Sequence, residues 1–183
     1  MSIVAEYLKQ RGTAFEVLSH RQAYTSVDEA RALGVDADEV LKTLAVRTAS
    51  GYALVVIPAS HRLDLRLVRE ALGDNRARLA TEEELGRDFA GYELGALPPL
   101  GALVGAEVYV DPEVSRHGTV AFAAGNQTES VRMRTEELFG RESVTTVPLV
   151  NRPFERRRDD PIARRRTAQQ SMTDPSSGRR DGF

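Results

Sequence analysis

Val40-Leu41-Lys42-Thr43-Leu44-Ala45-Val46-Arg47-Thr48 is followed by Ala49-Ser50-Gly51 and then by Tyr52-Ala53-Leu54-Val55-Val56-Ile57-Pro58. Both long runs are rich in β-branched and aliphatic residues, and the residues between them are small and turn-forming. The stretch therefore reads as a β-hairpin. Alternation along a strand puts Lys42, Leu44 and Val46 on one face and Leu41, Thr43, Ala45 and Arg47 on the other. An isolated hairpin is marginal in water, so this one needs a wider sheet and a covering layer.

Both flanks supply that layer. Upstream, Ile3, Val4, Tyr7 and Leu8 repeat with helical spacing until Gly12, and residues 15–18 are a strand candidate. Ser26-Val27-Asp28-Glu29 reads as a capping box that opens a helix running to Gly34, and residues 36–39 read as a further helical turn. Downstream, Asp64 caps a helix carrying Leu67, Val68 and Leu72 and closed by Gly73, and Thr81-Glu82-Glu83-Glu84 is a second capping box. Residues 91–101, rich in Gly and Pro, form a shaped loop. Residues 108–110, 120–122 and 131–133 are strand candidates, and residues 135–139 a last short helix. Strands come both as a hairpin and between helices. The expected fold is α/β of the α+β type, a mixed, mainly antiparallel sheet with flanking helices.

Composition narrows the function classes. The 183 residues are 41% hydrophobic, enough for one core in a chain of single-domain length. There is no cysteine, so disulfides, thiolate metal sites and a thiol nucleophile are excluded. The first ten residues contain Glu6 and Lys9 and do not resemble a signal peptide. No apolar stretch approaches the roughly 20 residues of a membrane span. The expected address is cytoplasmic, with no membrane partner.

Charge divides the chain. Of 25 basic and 27 acidic residues, 9 and 5 fall in residues 151–183, which include Arg156-Arg157-Arg158 and Arg164-Arg165-Arg166. Residues 1–150 are thus net acidic and the remainder net basic. The basic segment has few aliphatics and no apolar period, so it is expected to be a disordered tail following a domain of residues 1–150. It is either a solvated extension or an electrostatic handle for RNA phosphates.

Lys42 is the most informative residue. Lys9 and Lys42 are the two lysines among those 25 basic residues, so Lys42 stands in a chain that otherwise uses arginine. On an apolar strand face, its ammonium either reaches solvent at the strand end or sits in a cleft. In a cleft it would present a compact positive charge to an ester or phosphate, with its pKa lowered by burial. The second feature is Gly95-Ala96-Leu97-Pro98-Pro99, in which glycine allows close backbone approach and proline fixes shape. It is either an ordinary connection or a cradle of main-chain groups, and a pocket beside Lys42 with this loop across from it is expected. His20, His61 and His117 are scattered without metal-ligand spacing, so no metal is expected. No nucleophile elbow, phosphate loop or dinucleotide fingerprint is present. Taken alone, Asp111 before Pro112 and Gly125 before Asn126 read as turn residues, and His20 as a satisfied polar residue.

The order of features carries a resemblance. His20-Arg21-Gln22-Ala23-Tyr24-Thr25-Ser26 precedes a capped helix; Val40-Leu41-Lys42-Thr43-Leu44, Leu54-Val55-Val56-Ile57-Pro58, Asp64-Leu65 and Leu79-Ala80-Thr81-Glu82-Glu83-Glu84 follow. Gly95-Ala96-Leu97-Pro98-Pro99 supplies a Gly-x-x-x-Pro motif, and Val110-Asp111 with Phe122-Ala123-Ala124-Gly125 closes the set. This resembles the YbaK and prolyl-tRNA synthetase editing-domain family over roughly residues 2–139. The resemblance implies hydrolysis of the ester of mischarged aminoacyl-tRNA, without metal or organic cofactor. Lys42 would match the family's essential lysine. Gly95, Ala96, Leu97, Pro98 and Pro99 would hold the aminoacyl end, with His20, Thr25, Asp111 and Gly125 as further substrate-binding positions. Mischarged tRNA is the implied partner, together with an aminoacyl-tRNA synthetase that hands it over. The competing expectations are a non-catalytic regulator that binds a tRNA end or an amino acid on the same fold, and an RNA-binding protein driven by the tail.

Overall fold

The structure is a computed structural model that describes residues 2–151, so the Arg-rich segment expected to form a tail lies outside the described residues apart from Asn151. The elements in chain order are α1 (Ile3–Gln10), β1 (Glu16–Ser19), α2 (Ser26–Leu33), β2 (Leu41–Thr48), β3 (Gly51–Pro58), α3 (Leu65–Leu72), β4 (Arg78–Leu79), α4 (Glu82–Asp88), α5 (Gly101–Val104), β5 (Glu107–Val110), a 3-10 turn (Pro112–Arg116), β6 (Thr119–Ala123), β7 (Glu129–Arg134), α6 (Thr135–Gly140) and β8 (Val144–Thr146).

The hairpin forms where expected, with Leu41 opposite Pro58 and Thr48 opposite Gly51. It is the centre of a five-stranded sheet in the order β4-β2-β3-β5-β8, beside a three-stranded sheet ordered β1-β7-β6. β3–β5 and β5–β8 are parallel and the other ladders antiparallel, which makes the fold mixed as the sequence implies. Between the two sheets there is one parallel bridge, Val40 with Ala121.

The periodicity of β2 sorts the core into layers. Leu41 and Ala45 pack with Val4, Leu8, Leu97, Leu100, Phe122 and Val131. Val46 faces the other way, with Val55, Ile57, Val68, Leu149 and Val150, so α3 covers that side. Ala30 of α2 packs with Val40, Ala59 and Ala121, so α2 lies over the junction of the two sheets on the same side as Val46.

Two local readings differ from the structure, and two strands go unread. Thr25, not Ser26, is the N-cap of α2; it accepts from the Asp28 N–H, and Glu29 is left free to go elsewhere. Residues 36–39 form a turn rather than a helical turn, closed by the Glu39 N–H to the Asp36 carbonyl at 3.0 Å. β4 and β8, two and three residues long, are too short to show a period.

Candidate functional site

The junction of the sheets is the natural place for chemistry, because a ladder stops there while the chain around it stays buried. The Val40 carbonyl accepts from the Ala59 N–H, whereas the Ala45 carbonyl accepts from the Ala80 N–H beside β4. Ladder bonds alternate in direction along a strand. The main-chain groups of Leu41 and Thr43 therefore point away from β3, toward the side occupied by β6 at one end and β4 at the other. On β6, the Ala121 N–H donates to the Glu39 carbonyl and the Ala124 N–H to the Glu129 carbonyl. By the same alternation, Ala123 turns its main-chain groups toward β2. The strands pair at Val40–Ala121 and not beyond it, leaving a notch edged by Leu41, Thr43 and Ala123.

Lys42 stands at one face of this notch. It is half-buried, shares the face of Val40 and Val46, and donates from Nζ to the His61 carbonyl at 2.8 Å. Burial, and then the positive charge of Arg62, push its pKa below the ordinary lysine value. One of three ammonium protons is used in that bond, and the rest are available. Next to it His61 Nδ1 lies 2.8 Å from Ser60 Oγ, and Ser60 donates to Asp38. This polar cluster holds the turn that carries the acceptor of Lys42, and the sequence reading missed it because Asp38, Ser60 and His61 meet only through the register of the hairpin.

Thr43 opens onto the opposite face. The residue is 9% exposed, and its hydroxyl has no hydrogen-bond partner among the described residues. A buried hydroxyl without a partner costs on the order of 1–3 kcal/mol, so its position asks for an explanation.

The Gly95 loop is more buried than a surface cradle. Ala96, Leu97, Pro98 and Pro99 are all buried, with Leu97 in the same cluster as Leu41 and Leu100. The loop thus backs the face that carries Thr43, while the Lys42 side chain leaves β2 on the other face. Strand parity therefore puts the Lys42 stem and Leu97 on opposite faces of β2. Gly95 itself is exposed at φ +81°, and a Cβ there would stand 2.8 Å from the Tyr24 carbonyl oxygen. Only glycine permits both that conformation and that approach. Nor does Lys42 line the open depression of about 640 Å³ formed by Ala49, Arg69, Glu70, Gly73, Asp74, Asn75 and Arg76, which starts at the far end of β2.

The remaining expected residues divide into two groups. His20, Thr25 and Gly125 gather near Gly95: the His20 N–H donates to Thr128, the Ala23 N–H to Gln127 and the Glu93 N–H to Gly125. Gly125, at φ +93°, leaves room for the Tyr92 ring, 3.2 Å from where a Cβ would lie. The Thr25 hydroxyl is occupied as a cap and also donates to the Asp28 carboxylate at 2.8 Å. Asp111 stands apart. It is fully buried, and its carboxylate accepts from the N–H groups of Glu113, Leu149 and Val150 at 2.8, 2.7 and 3.1 Å. That geometry ties the chain after β8 to the end of β5. Among the described residues no cluster of His, Asp and Glu stands ready to hold a metal ion, and no helix is long and apolar enough to cross a membrane.

The sequence profile described as the aminoacyl-tRNA editing domain matches residues 20–140. The chain belongs to that family. Among curated relatives, the multifunctional Ser/Thr-tRNA deacylase ProXp-y of Escherichia coli is 28% identical over 135 residues, 71% of this chain and 80% of its own length. A proline–tRNA ligase of Thermosipho melanesiensis is 32% identical over 85 residues, 46% of this chain and 15% of the ligase. The match thus spans a small part of that much longer enzyme. A solved structure of a candidate trans-editing enzyme for prolyl-tRNA synthetase superposes with a TM-score of 0.72 at 24% identity, over 83% of this chain and 99% of the other. The profile takes in the whole notch and the Gly95 loop, and leaves out α1, β1 and β8.

Proposed function

We propose that this editing domain hydrolyses the ester bond of mischarged aminoacyl-tRNA. The observation that carries the reading is the Lys42 ammonium beside an open main-chain edge in a chain of the aminoacyl-tRNA editing family. An aminoacyl ester is already activated, so its hydrolysis depends chiefly on placing the carbonyl, admitting a water and stabilising the oxyanion. Main-chain N–H groups of Thr43 and Ala123 at the notch are fixed donors of the kind an oxyanion needs. Lys42 supplies positive charge to the ester or to the phosphate of the terminal nucleotide, and the loop from Gly95 to Pro99 closes the amino-acid side. No metal or organic cofactor takes part in this reading. Attack of water gives the free amino acid and the terminal ribose hydroxyl, which takes back a proton on leaving.

Mischarged tRNA is the proposed partner in the cytoplasm, and a synthetase that delivers it is the proposed second one. The Arg-rich segment after residue 151 is proposed to add affinity for tRNA phosphates, an effect that shrinks as salt rises. A panel of mischarged tRNAs, assayed with enzyme well below substrate, tests the activity. Release of amino acid over many turnovers from at least one member, lost in Lys42→Ala, is the expected result. Binding of a charged end without turnover on any member replaces this reading with that of a regulator.

A further inference from the structure

Glu29 and Asp111 are buried carboxyls that the proposed hydrolysis does not use; Asp111 is held by main-chain N–H groups, whereas Glu29 meets side chains. It is 3% exposed and lies over β7, where Ser130 is fully buried. Ser130 Oγ stands 2.5 Å from Glu29 Oε1 and 2.8 Å from His20 Nε2, and His20 Nδ1 stands 2.7 Å from the Arg21 carbonyl oxygen. The β1–α2 connection and α2, consecutive in sequence, are joined in one line through β7, 110 residues after His20 and 101 after Glu29.

Donor counting fixes the protons on this line. A carbonyl oxygen only accepts, so His20 Nδ1 carries a hydrogen. If His20 is neutral, its Nε2 is an acceptor and the Ser130 hydroxyl must donate to it. Ser130 then has only a lone pair for Glu29, so Glu29 must be protonated and donate. If Glu29 is ionised, Ser130 donates to it, and Nε2 must carry a hydrogen, making His20 a cation. Both arrangements hold one shared proton and no net charge, and moving one hydrogen along each link converts one into the other. Remove that proton, and Ser130 has a single hydrogen for two acceptors; one contact must break.

We propose that Glu29 is a positioning residue of the aminoacyl site, holding with Ser130 and His20 one shared proton that fixes the connection from His20 to Thr25 beneath the Gly95 loop. This rests on the deacylase reading for its catalytic consequence, but not for its chemistry. The connection bears directly on the loop, since Tyr24 supplies the carbonyl that Gly95 approaches. Other charges near the line are engaged elsewhere. On α2, Asp28 pairs with Arg31; on β7, Glu129 accepts from Asn126 and Arg132 pairs with Glu16; β6 contributes no ionisable side chain. Burial raises the Glu29 carboxyl to about 7, with the Ser130 hydrogen bond partly opposing, so the shared proton is lost near neutrality.

The test pairs single-turnover deacylation from pH 6 to 8 with ¹⁵N-histidine NMR on wild type, Glu29→Gln and Ser130→Ala. Glutamine keeps a permanent donor toward Ser130. The expected result is equal rates for wild type and Glu29→Gln at pH 6, with wild type lower by about tenfold at pH 8, one unit above the value at which the proton is half lost. Ser130→Ala, which cuts the line, is slow at both. In wild type the His20 ring should carry a hydrogen on Nδ1 at all pH values, and Glu29→Gln and Ser130→Ala should each change its Nε2 signal. A rate ratio constant across the range, or a neutral His20 with its hydrogen on Nε2, overturns the proposal. If wild type releases no amino acid from any tRNA, the deacylase reading fails, and the NMR result alone decides the shared proton.

Discussion

Lys42 and Thr43, adjacent in β2, open onto opposite faces of the same sheet where pairing with β6 stops after the Val40–Ala121 bridge. The ammonium is anchored to the His61 carbonyl, and the hydroxyl is buried without a partner among the described residues. One strand therefore offers a charge on one side of the notch and a neutral hydrogen-bonding group on the other.

Lys42→Ala should lower single-turnover hydrolysis of mischarged tRNA by about 10²–10³, equivalent to about 3–4 kcal/mol, the loss typical of one oxyanion-stabilising donor. The half-buried side chain makes one hydrogen bond to a main-chain carbonyl, so the melting temperature should change little. Lys42→Arg should recover only part of the rate, because a planar guanidinium does not reproduce a compact ammonium. Hydrolysis by Lys42→Ala at the wild-type rate would remove Lys42 from the mechanism.

Thr43→Val replaces an unpartnered hydroxyl by a methyl of the same shape. The fold should be as stable as wild type or more so, by roughly 1 kcal/mol, since no hydrogen bond is lost and a desolvated oxygen is removed. Catalysis should move the other way. If the hydroxyl is held for the substrate, KM should rise most for amino acids bearing a hydroxyl or amide group, and least for aliphatic ones. Denaturant unfolding and a KM series over charged tRNAs measure the two effects; a destabilised fold with unchanged KM would show that Thr43 only packs.

Glu29 makes stability depend on pH in a definite direction. Its folded pKa is raised, from 4.5 to about 7, so the stability it contributes is fully present below 4.5 and is lost as pH rises through about 7. The full span is up to roughly 3 kcal/mol. Urea unfolding of wild type and Glu29→Gln at intervals from pH 4 to 8.5 should show the difference growing in favour of the glutamine variant toward high pH. Parallel curves would mean that the carboxyl titrates alike in the folded and unfolded chain.

Asp111→Ala should destabilise by about 3 kcal/mol or more, because it strands buried N–H groups of Leu149 and Val150 and loosens the turn after β5. Folded protein at low temperature should still hydrolyse with an unaltered KM. A selective loss of substrate affinity at full stability would return Asp111 to the binding site.

Much of the fold was legible because it is written in local signals. The β2–β3 hairpin shows as two β-rich runs around Ala49-Ser50-Gly51, and α3 lies between the Asp64 cap and Gly73, both found in the structure. Lys42 was legible as a cation on an apolar face. What was not legible depends on register between distant strands. The notch exists because β6 pairs with Val40 and then leaves β2, and no residue type marks that parting. Glu29 shows the limit well: its position three residues into a Ser-led helix fits a capping box, but Thr25 takes the cap, and a buried serine on β7 claims the carboxylate. Asp111 reads as a turn residue or, through the resemblance, as a ligand for substrate; that its carboxylate also accepts from main-chain groups 38 and 39 residues later is marked by no local signal.

The hold of Asp111 on Leu149 and Val150 also determines where this domain can be cut. The family profile spans residues 20–140. Excision at those limits would delete Val4 and Leu8 from one core layer and Leu149 and Val150 from another, and would break the bridge between Leu63 and Val150. The underside of α3 would be left as bare apolar surface and the fragment would be prone to self-association. Any graft of this domain into another protein therefore needs its junctions placed before α1 and after Val150, outside the limits of the family profile.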